Sequence, residues 1–287
     1  MSGLAHGGHG PVLTMSVMGV SALIVGSLVS PVAGLVPMFG ILSLMSAAFL
    51  ANFWRDPDRP IPSSPGLLVS PADGHVMFVQ RERAIARRPS RIEFEKTELQ
   101  AEPSSGDWHP APLEDPLSFE TEQRFEPVPV GDEQSTDVIR VAIFMSPLDV
   151  HVNRAPAAGV IERMELRTGK GLRRGPHRFA FKKESQYNER VRTVFQLDDG
   201  CRIEMMQIAG FLARTVVPYL PEGAQVRRGQ RVGMIRLGSR VDVRAPAEQY
   251  STQLVSAEEN HPSYPKGMFV QAGTTVLFHP LSSEEEA

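Results

Sequence analysis

Charge is missing from the start of this chain. Between Met1 and Trp54 there is no Asp, Glu, Lys or Arg, so that stretch cannot form an ordinary solvated surface. Cysteine is nearly absent as well: Cys201 is alone among 287 residues, which excludes an intrachain disulfide and gives no sign of an oxidising compartment. The eight histidines are scattered, without a His, Cys or carboxylate cluster at ligand spacing, so no metal is expected. Aromatic residues make up only 7% and do not interleave with basic ones; with a pI near 6.3, nucleic acid is a poor partner.

The uncharged N-terminus is strongly apolar. From Val12 to Leu50 the run is broken only by small residues and by Pro31 and Pro37. Two spans fit, about 12–30 and 33–53, each near the roughly 20 residues that cross a bilayer as a helix. Ser30-Pro31-Val32-Ala33-Gly34 between them suits a tight turn, and a transmembrane helical hairpin over 1–54 is expected. A cleaved signal peptide fits less well, because a basic leader is missing and the apolar stretch is too long. Arg55 and Arg59 follow directly, so the positive-inside tendency places the remainder on the cytoplasmic side, with both hairpin ends together.

The net charge of −3 hides a split. Residues 93–133 hold twelve acidic and two basic side chains, a local −10 that leaves +7 for the rest. This Pro- and Ser-rich segment lacks sustained periodicity, and an acidic insert over about 81–136 is expected. Elsewhere the patterning is short and strand-like, at 74–80, 137–145, 191–197 and 202–208, while 210–219 suits a short helix or a strand. The fold class expected is mainly β (α+β), a β-sandwich-like catalytic domain over 55–287.

Turn patterns repeat. Pro71-Ala72-Asp73-Gly74 and Pro156-Ala157-Ala158-Gly159 each feed a strand-like run. Pro221-Glu222-Gly223, Val226, Gly229-Gln230 and Val232-Gly233 resemble the turns of lipoyl or biotinyl carrier (hammerhead) domains, although no lysine stands at a hairpin tip.

The chemistry centres on Gly238-Ser239, between two alternating stretches. A serine hydroxyl held over the preceding carbonyl can attack it and move the acyl chain from nitrogen to oxygen; glycine leaves that carbonyl least hindered. Alone, Gly-Ser is also an ordinary turn. Around it stand Phe53-Trp54-Arg55-Asp56-Pro57-Asp58-Arg59 with Ser70-Pro71-Ala72-Asp73-Gly74, then Met145-Ser146-Pro147-Leu148-Asp149-Val150-His151-Val152-Asn153-Arg154-Ala155-Pro156, and finally 233–243. With Asn188-Glu189-Arg190 and Gln207-Ile208-Ala209-Gly210, these islands resemble the phosphatidylserine decarboxylase proenzyme family, in its short bacterial form with a membrane hairpin. The resemblance runs from Phe53 to about Phe278 and leaves out most of 81–136.

That resemblance implies a self-processing carboxy-lyase. The Gly238-Ser239 bond would cleave itself into a large subunit, 1–238, and a small one, 239–287. Ser239 would pass through an ester and dehydroalanine to become a pyruvoyl group, so no external cofactor or metal is implied. Its ketone would form a Schiff base with the serine amine of phosphatidylserine and accept the electrons left by carbon dioxide, giving phosphatidylethanolamine. His151 is the implied base and later acid, with Asp73 as orienting carboxylate and Asp149 competing for that role. Longer members carry a second histidine three positions on; here that position is Arg154.

The implied partners are phosphatidylserine in the membrane and the chain's own two products as a heterodimer, with a higher oligomer possible. Arg163, Arg167, Lys170, Arg173, Arg174, Arg178, Lys182, Lys183, Arg190 and Arg192 form a basic density suited to an anionic bilayer. Three alternatives stay open: an archaetidylserine-type substrate, a non-enzymatic membrane adaptor with carrier-like sandwiches, and a serine hydrolase acting as an intact chain. No Gly-x-Ser-x-Gly elbow surrounds Ser239.

Overall fold

The computed structural model describes residues 3–5, 7–28, 35–85, 124–129, 136–167, 179–180, 185, 188–210, 215–236, 238–255 and 267–281. The chain is mainly β, with two apolar helices at the N-terminus. It divides into two compact units, Met1–Asp58 with Pro147–Val152, and Arg59–Ser146 with Asn153–Ala287.

In the first unit, helices His9–Leu28 and Leu35–Phe53 are long and apolar enough to cross a membrane. The intervening turn expected at 30–34 lies outside the described residues. Their contact is made through small residues: Gly19 and Gly26 on one helix, and Gly40, Ser43 and Ala47 on the other, are buried. A Cβ at Gly19 would lie 2.7 Å from the Leu44 side chain, and one at Gly40 would meet the Gly19 carbonyl at 3.0 Å, so bulkier residues would push the helices apart. Leu13, Ile24, Met38 and Phe39 are instead exposed, as lipid-facing positions would be. At the charged end, Gly3–Leu4 pairs antiparallel with Arg55–Asp56, and the Ala5 N–H donates to the Trp54 carbonyl at 2.7 Å. Both ends of the hairpin therefore meet.

The second unit is built on a nine-stranded antiparallel sheet. Its path runs Gln225–Val226, Gly159–Arg167, Arg190–Gln196, Arg202–Ala209, Ser239–Pro246, Val138–Met145, Gly74–Ile85 and Phe269–Val270, with Arg124–Pro127 paired beside Gly74–Ile85. All four expected strands are present. So is a strand at Val216–Pro218, while 211–214 lies outside the described residues. Of the expected acidic insert, 81–85 and 124–127 pair as strands, and 86–123 and 130–135 are not described.

The repeated turns match in structure. Gly74 and Gly159 have φ of +151° and +155°, and a Cβ at either would lie 2.1 Å from the Phe144 carbonyl oxygen or 2.2 Å from that of Gln196. Only glycine fits such a close backbone approach. The two turns also exchange bonds with each other's flanks: the Val69 N–H donates to the Pro156 carbonyl, and the Arg154 N–H to the Pro71 carbonyl, both at 2.9 Å.

Both faces of the central strands are covered, for different reasons. Alternation sends Ile139, Val141, Ile143 and Met145, with Val241, Val243 and Ala245, into the apolar core. The opposite face of the same strands carries Arg140, Arg240, Asp242 and Arg244, all buried. These form an ion ladder with Glu82 and Glu204. Arg240 grips Asp242 with Nε and Nη2 at 2.6 and 2.8 Å, Arg140 bridges Asp242 and Glu82, Arg244 bridges Glu82 and Glu204, and Arg192 donates to Glu204 at 2.7 Å. Phe78 lies under both Arg140 and Arg240, with guanidinium carbons 5.3 and 4.9 Å from its ring centre.

Candidate active site

Ser239 opens a central strand. Its backbone is in register with Ala209 on one side and Met145 on the other, and the residue is fully buried. Its hydroxyl donates to the Met145 sulfur at 3.2 Å, a weak acceptor that leaves the oxygen's lone pairs uncommitted by that bond. Gly238 before it has φ +63°, the left-handed region that a side chain resists. The chain thus turns sharply one residue before the strand begins. On the Gly238 carbonyl sits Gly210: a Cβ at Gly210 would fall 1.9 Å from that oxygen. The Gly238-Ser239 bond is therefore bounded by a glycine in the left-handed region, a register-locked serine and a neighbour with no side chain.

A polar chain runs beneath Ser239. Gln207 Nε2 donates to Asn153 Oδ1 at 2.8 Å, and Asn153 Nδ2 reaches the Pro71 carbonyl at 3.4 Å and the Met145 sulfur at 3.8 Å. Asn188 Nδ2 donates to the Ala209 carbonyl at 2.7 Å. Asn188, Asn153 and Gln207 all stand within the islands read from the sequence, yet their roles were not legible there. Asn and Gln report their partners only once strands are placed side by side.

Asp73 ends the turn before strand Gly74–Ile85 and is buried. One carboxylate oxygen accepts from Arg59 Nη2 at 2.7 Å and the other from the Ala272 N–H at 2.8 Å. Arg59 thus anchors this turn, a use its position after the hairpin did not suggest.

His151 belongs to the first unit, on the segment Pro147–Val152. It is fully buried, and its ring stands 4.4 Å, centre to centre, from Phe53, the last residue of the second apolar helix. Nδ1 lies 2.9 Å from the Asp149 carbonyl oxygen. A carbonyl can only accept, so a neutral ring carries its proton on Nδ1 and its lone pair on Nε2. Burial pushes the imidazole down from 6.5 to about 4, with the Arg55 charge adding to the fall and the Asp149 carbonyl and carboxylate opposing it. At neutral pH this histidine is an uncharged base. Asp149 meets it through its backbone, a contact that side-chain reasoning had no means to see.

Arg154, at the position of the second histidine of longer members, is buried and donates to the Gly229 carbonyl at 3.0 Å. It serves the turn at Gly229 and cannot act as a base near neutral pH. Arg192 is a correction to the basic density: it is buried and held by Glu204, so it does not face a bilayer. Lys170, Arg173, Arg174, Arg178, Lys182 and Lys183 lie outside the described residues. Among the described residues no group of three or more His, Cys, Asp or Glu could hold a metal. Burial pushes the Cys201 thiol up to about 12, which makes it a poor nucleophile.

The phosphatidylserine decarboxylase family matches residues 46–278. A phosphatidylserine decarboxylase proenzyme of Oleidesulfovibrio alaskensis is 33% identical over 83% of this chain and 80% of its own. One from Streptomyces griseus subsp. griseus is 55% identical over 37% of this chain, a match that spans 46% of the Streptomyces protein. A Methanopyrus kandleri protein named for archaetidylserine decarboxylase is 34% identical over 82% of this chain and 83% of its own. No solved structure matches at a significant level.

Proposed function

The chain belongs to the phosphatidylserine decarboxylase family, and we propose that it is a proenzyme that cuts its own Gly238-Ser239 bond and then decarboxylates phosphatidylserine to phosphatidylethanolamine. One observation carries this reading: a fully buried serine, register-locked at the head of a central strand, follows a glycine held at φ +63°. Ser239 Oγ and the Gly238 carbonyl carbon can close a five-membered ring through Cβ, Cα and N. Attack forms the C–O bond, C–N cleavage frees the Ser239 nitrogen as an amine, and a base relays the hydroxyl proton to that nitrogen. Loss of the Ser239 Cα proton then expels Gly238 as a carboxylate, and water converts the remaining dehydroalanine to a pyruvoyl group and ammonia.

We assign the base to His151, whose orientation comes from the Asp149 carbonyl at Nδ1, and give Asp73, held by Arg59 and the Ala272 N–H, the role of fixing the turn before Gly74. In support, His151 is neutral near pH 7 and presents Nε2 as its basic nitrogen. After the cut, the same nitrogen can return a proton to the substrate carbon that loses carbon dioxide. The residues around Ser239 suit a pyruvoyl group there: pairing with Ala209 and Met145 begins at residue 239 itself, so the new N-terminus keeps its place after cleavage. When formed, the group supplies a ketone that binds the substrate amine and draws off the electrons left by carbon dioxide. Gly210, having no side chain, leaves room beside the Gly238 carbonyl.

The remaining organisation follows from the same reading. Residues 1–54 are a membrane hairpin, 55–287 a catalytic domain facing the cytoplasm, and Pro221 to Gly233 its carrier-like (hammerhead) element. The products 1–238 and 239–287 stay together as a heterodimer, because the strand Ser239–Pro246 of the small chain lies between two strands of the large one. Arg55 and Arg59 support the cytoplasmic side. An archaetidylserine head group is a second reading, favoured by the Methanopyrus relative, since it offers the same amine and carboxylate.

The test is a denaturing gel of the purified full chain beside an assay on phosphatidylserine vesicles. Two fragments with activity are expected, and a single inactive chain for Ser239→Ala. An uncut wild-type chain that decarboxylates would overturn the proposal.

A further inference from the structure

The candidate base does not sit on the sheet that carries Ser239. His151 lies on a six-residue segment, Pro147–Val152, which groups with the apolar hairpin. Inside that unit its ring packs at a 46° tilt against Phe53, at 4.4 Å. Phe53 is itself buried and is held edge-on by Trp54 at 5.8 Å. Trp54 in turn is locked by the N-terminal segment, since its carbonyl accepts from Ala5 and a Cβ at Gly8 would collide with its side chain at 2.7 Å. A long contact, Asn52 Nδ2 to the Leu148 carbonyl at 3.5 Å, ties the other end of the segment to the same helix. Leu148 is largely exposed, beside a helix end where a bilayer interface would lie.

We propose that Phe53 is a positioning residue for the reaction: the end of the membrane anchor forms the apolar wall that keeps His151 dry, neutral and correctly turned. The hairpin is then part of the catalytic apparatus as well as a tether. The chemistry favours this over simple packing. An apolar ring against one face of an imidazole excludes water from it, and exclusion of water disfavours the charged form. The second apolar helix brings no ionisable group to this place. The charged groups that act on His151 are Arg55 on the following strand and Asp149 on its own segment. Arg55 and Asp149 act in opposite directions on the ring, which leaves desolvation as the dominant influence. Phe53 therefore controls the proton affinity of the base without touching the reacting bond.

This inference rests on His151 being the base, and the test separates the two. Full-length chain is synthesised cell-free into phosphatidylglycerol-containing liposomes, and the cut is followed by gel from pH 4.5 to 8. For Phe53→Ala, water reaches the imidazole and its proton affinity returns toward the ordinary value near 6.5. The rate at pH 5.5 then falls about tenfold relative to wild type, while the loss at pH 8 is only a few-fold. Phe53→Leu keeps the wall apolar and gives a smaller acid shift, which keeps the test informative if the alanine variant does not fold. Equal losses at every pH, or an acid limb that stays in place in both variants, would overturn the role of Phe53. His151→Ala is the second arm: wild-type cutting in that variant removes the base assignment itself, whereas an uncut His151→Ala beside unshifted Phe53 variants removes only the inference.

Discussion

His151 and Asp242 are both fully buried and both titratable, yet the chain handles them in opposite ways. His151 packs against the Phe53 ring, and burial drives it to about 4, so it keeps no charge at neutral pH. Asp242 suffers the same desolvation, but Arg140 and Arg240 outweigh it and hold the carboxyl at about 2. Glu204 follows Asp242: Arg192 and Arg244 outweigh its burial and keep it below the ordinary range. The difference separates two uses of a buried ionisable group. Paired charge makes a rigid structural strut, while a group that burial keeps neutral suits proton transfer.

Four experiments would break or sharpen that contrast. The largest effect falls on the ladder. Glu82→Leu leaves Arg140 and Arg244 each short of a carboxylate, and a loss of about 3–5 kcal/mol is expected in chemical denaturation of the detergent-solubilised protein, because an uncompensated buried charge remains. A loss below about 1 kcal/mol would show that the ladder is solvated. Next comes the acid limb of His151. Its folded proton affinity is below the unfolded one, so its contribution is complete above about 6.5 and is lost as pH falls through about 4. The integrated loss is on the order of 3 kcal/mol, and it should vanish in His151→Gln, as acid titration of the thermal midpoint would reveal. Asp242 works with the same sign at lower pH, its stabilisation failing only as pH falls from about 3.8 through about 2.

A smaller effect is expected at the neutral base. His151→Gln should cost about 1 kcal/mol of stability, the worth of about one hydrogen bond, while stopping the cut. Stability and processing would thus separate at this residue, as they would not at Glu82. The smallest effect belongs to Arg202 and Glu162, an ion pair with side chains 29% and 27% exposed. Arg202→Ala should change stability by at most about 1 kcal/mol, and less in high salt. A loss comparable with that of Glu82→Leu would mean that burial does not set the hierarchy.

Much of this architecture was readable from residue order. The absence of charge before Arg55 marked the two helices, and alternation marked all four expected strands to within a few residues, because each has one face in the apolar core. The Pro-Ala-x-Gly repeat also signalled its geometry, since Gly74 and Gly159 meet carbonyls that no side chain could face. The ion ladder was hidden. Arg140, Arg240, Asp242 and Arg244 look like the solvated face of a strand, and only the juxtaposition of Glu82 and Glu204 from distant segments makes them a buried network. For the proposed site, Gly238, Ser239, His151 and Asp73 stood out as residue types in a characteristic order. The Met145 sulfur, the Asp149 carbonyl and the Phe53 wall were not, because each acts through proximity across the fold and carries no reactive group of its own to flag it.

The central claim is that Ser239 is consumed to make its own cofactor. Its most direct test is the intact mass of the C-terminal fragment of the purified chain, measured before and after reductive amination. The account predicts a fragment beginning at residue 239 whose N-terminus is a ketone lacking the serine nitrogen and which gains an amine on reduction. A fragment with an unmodified serine amine at 239, unchanged by the treatment, would contradict it.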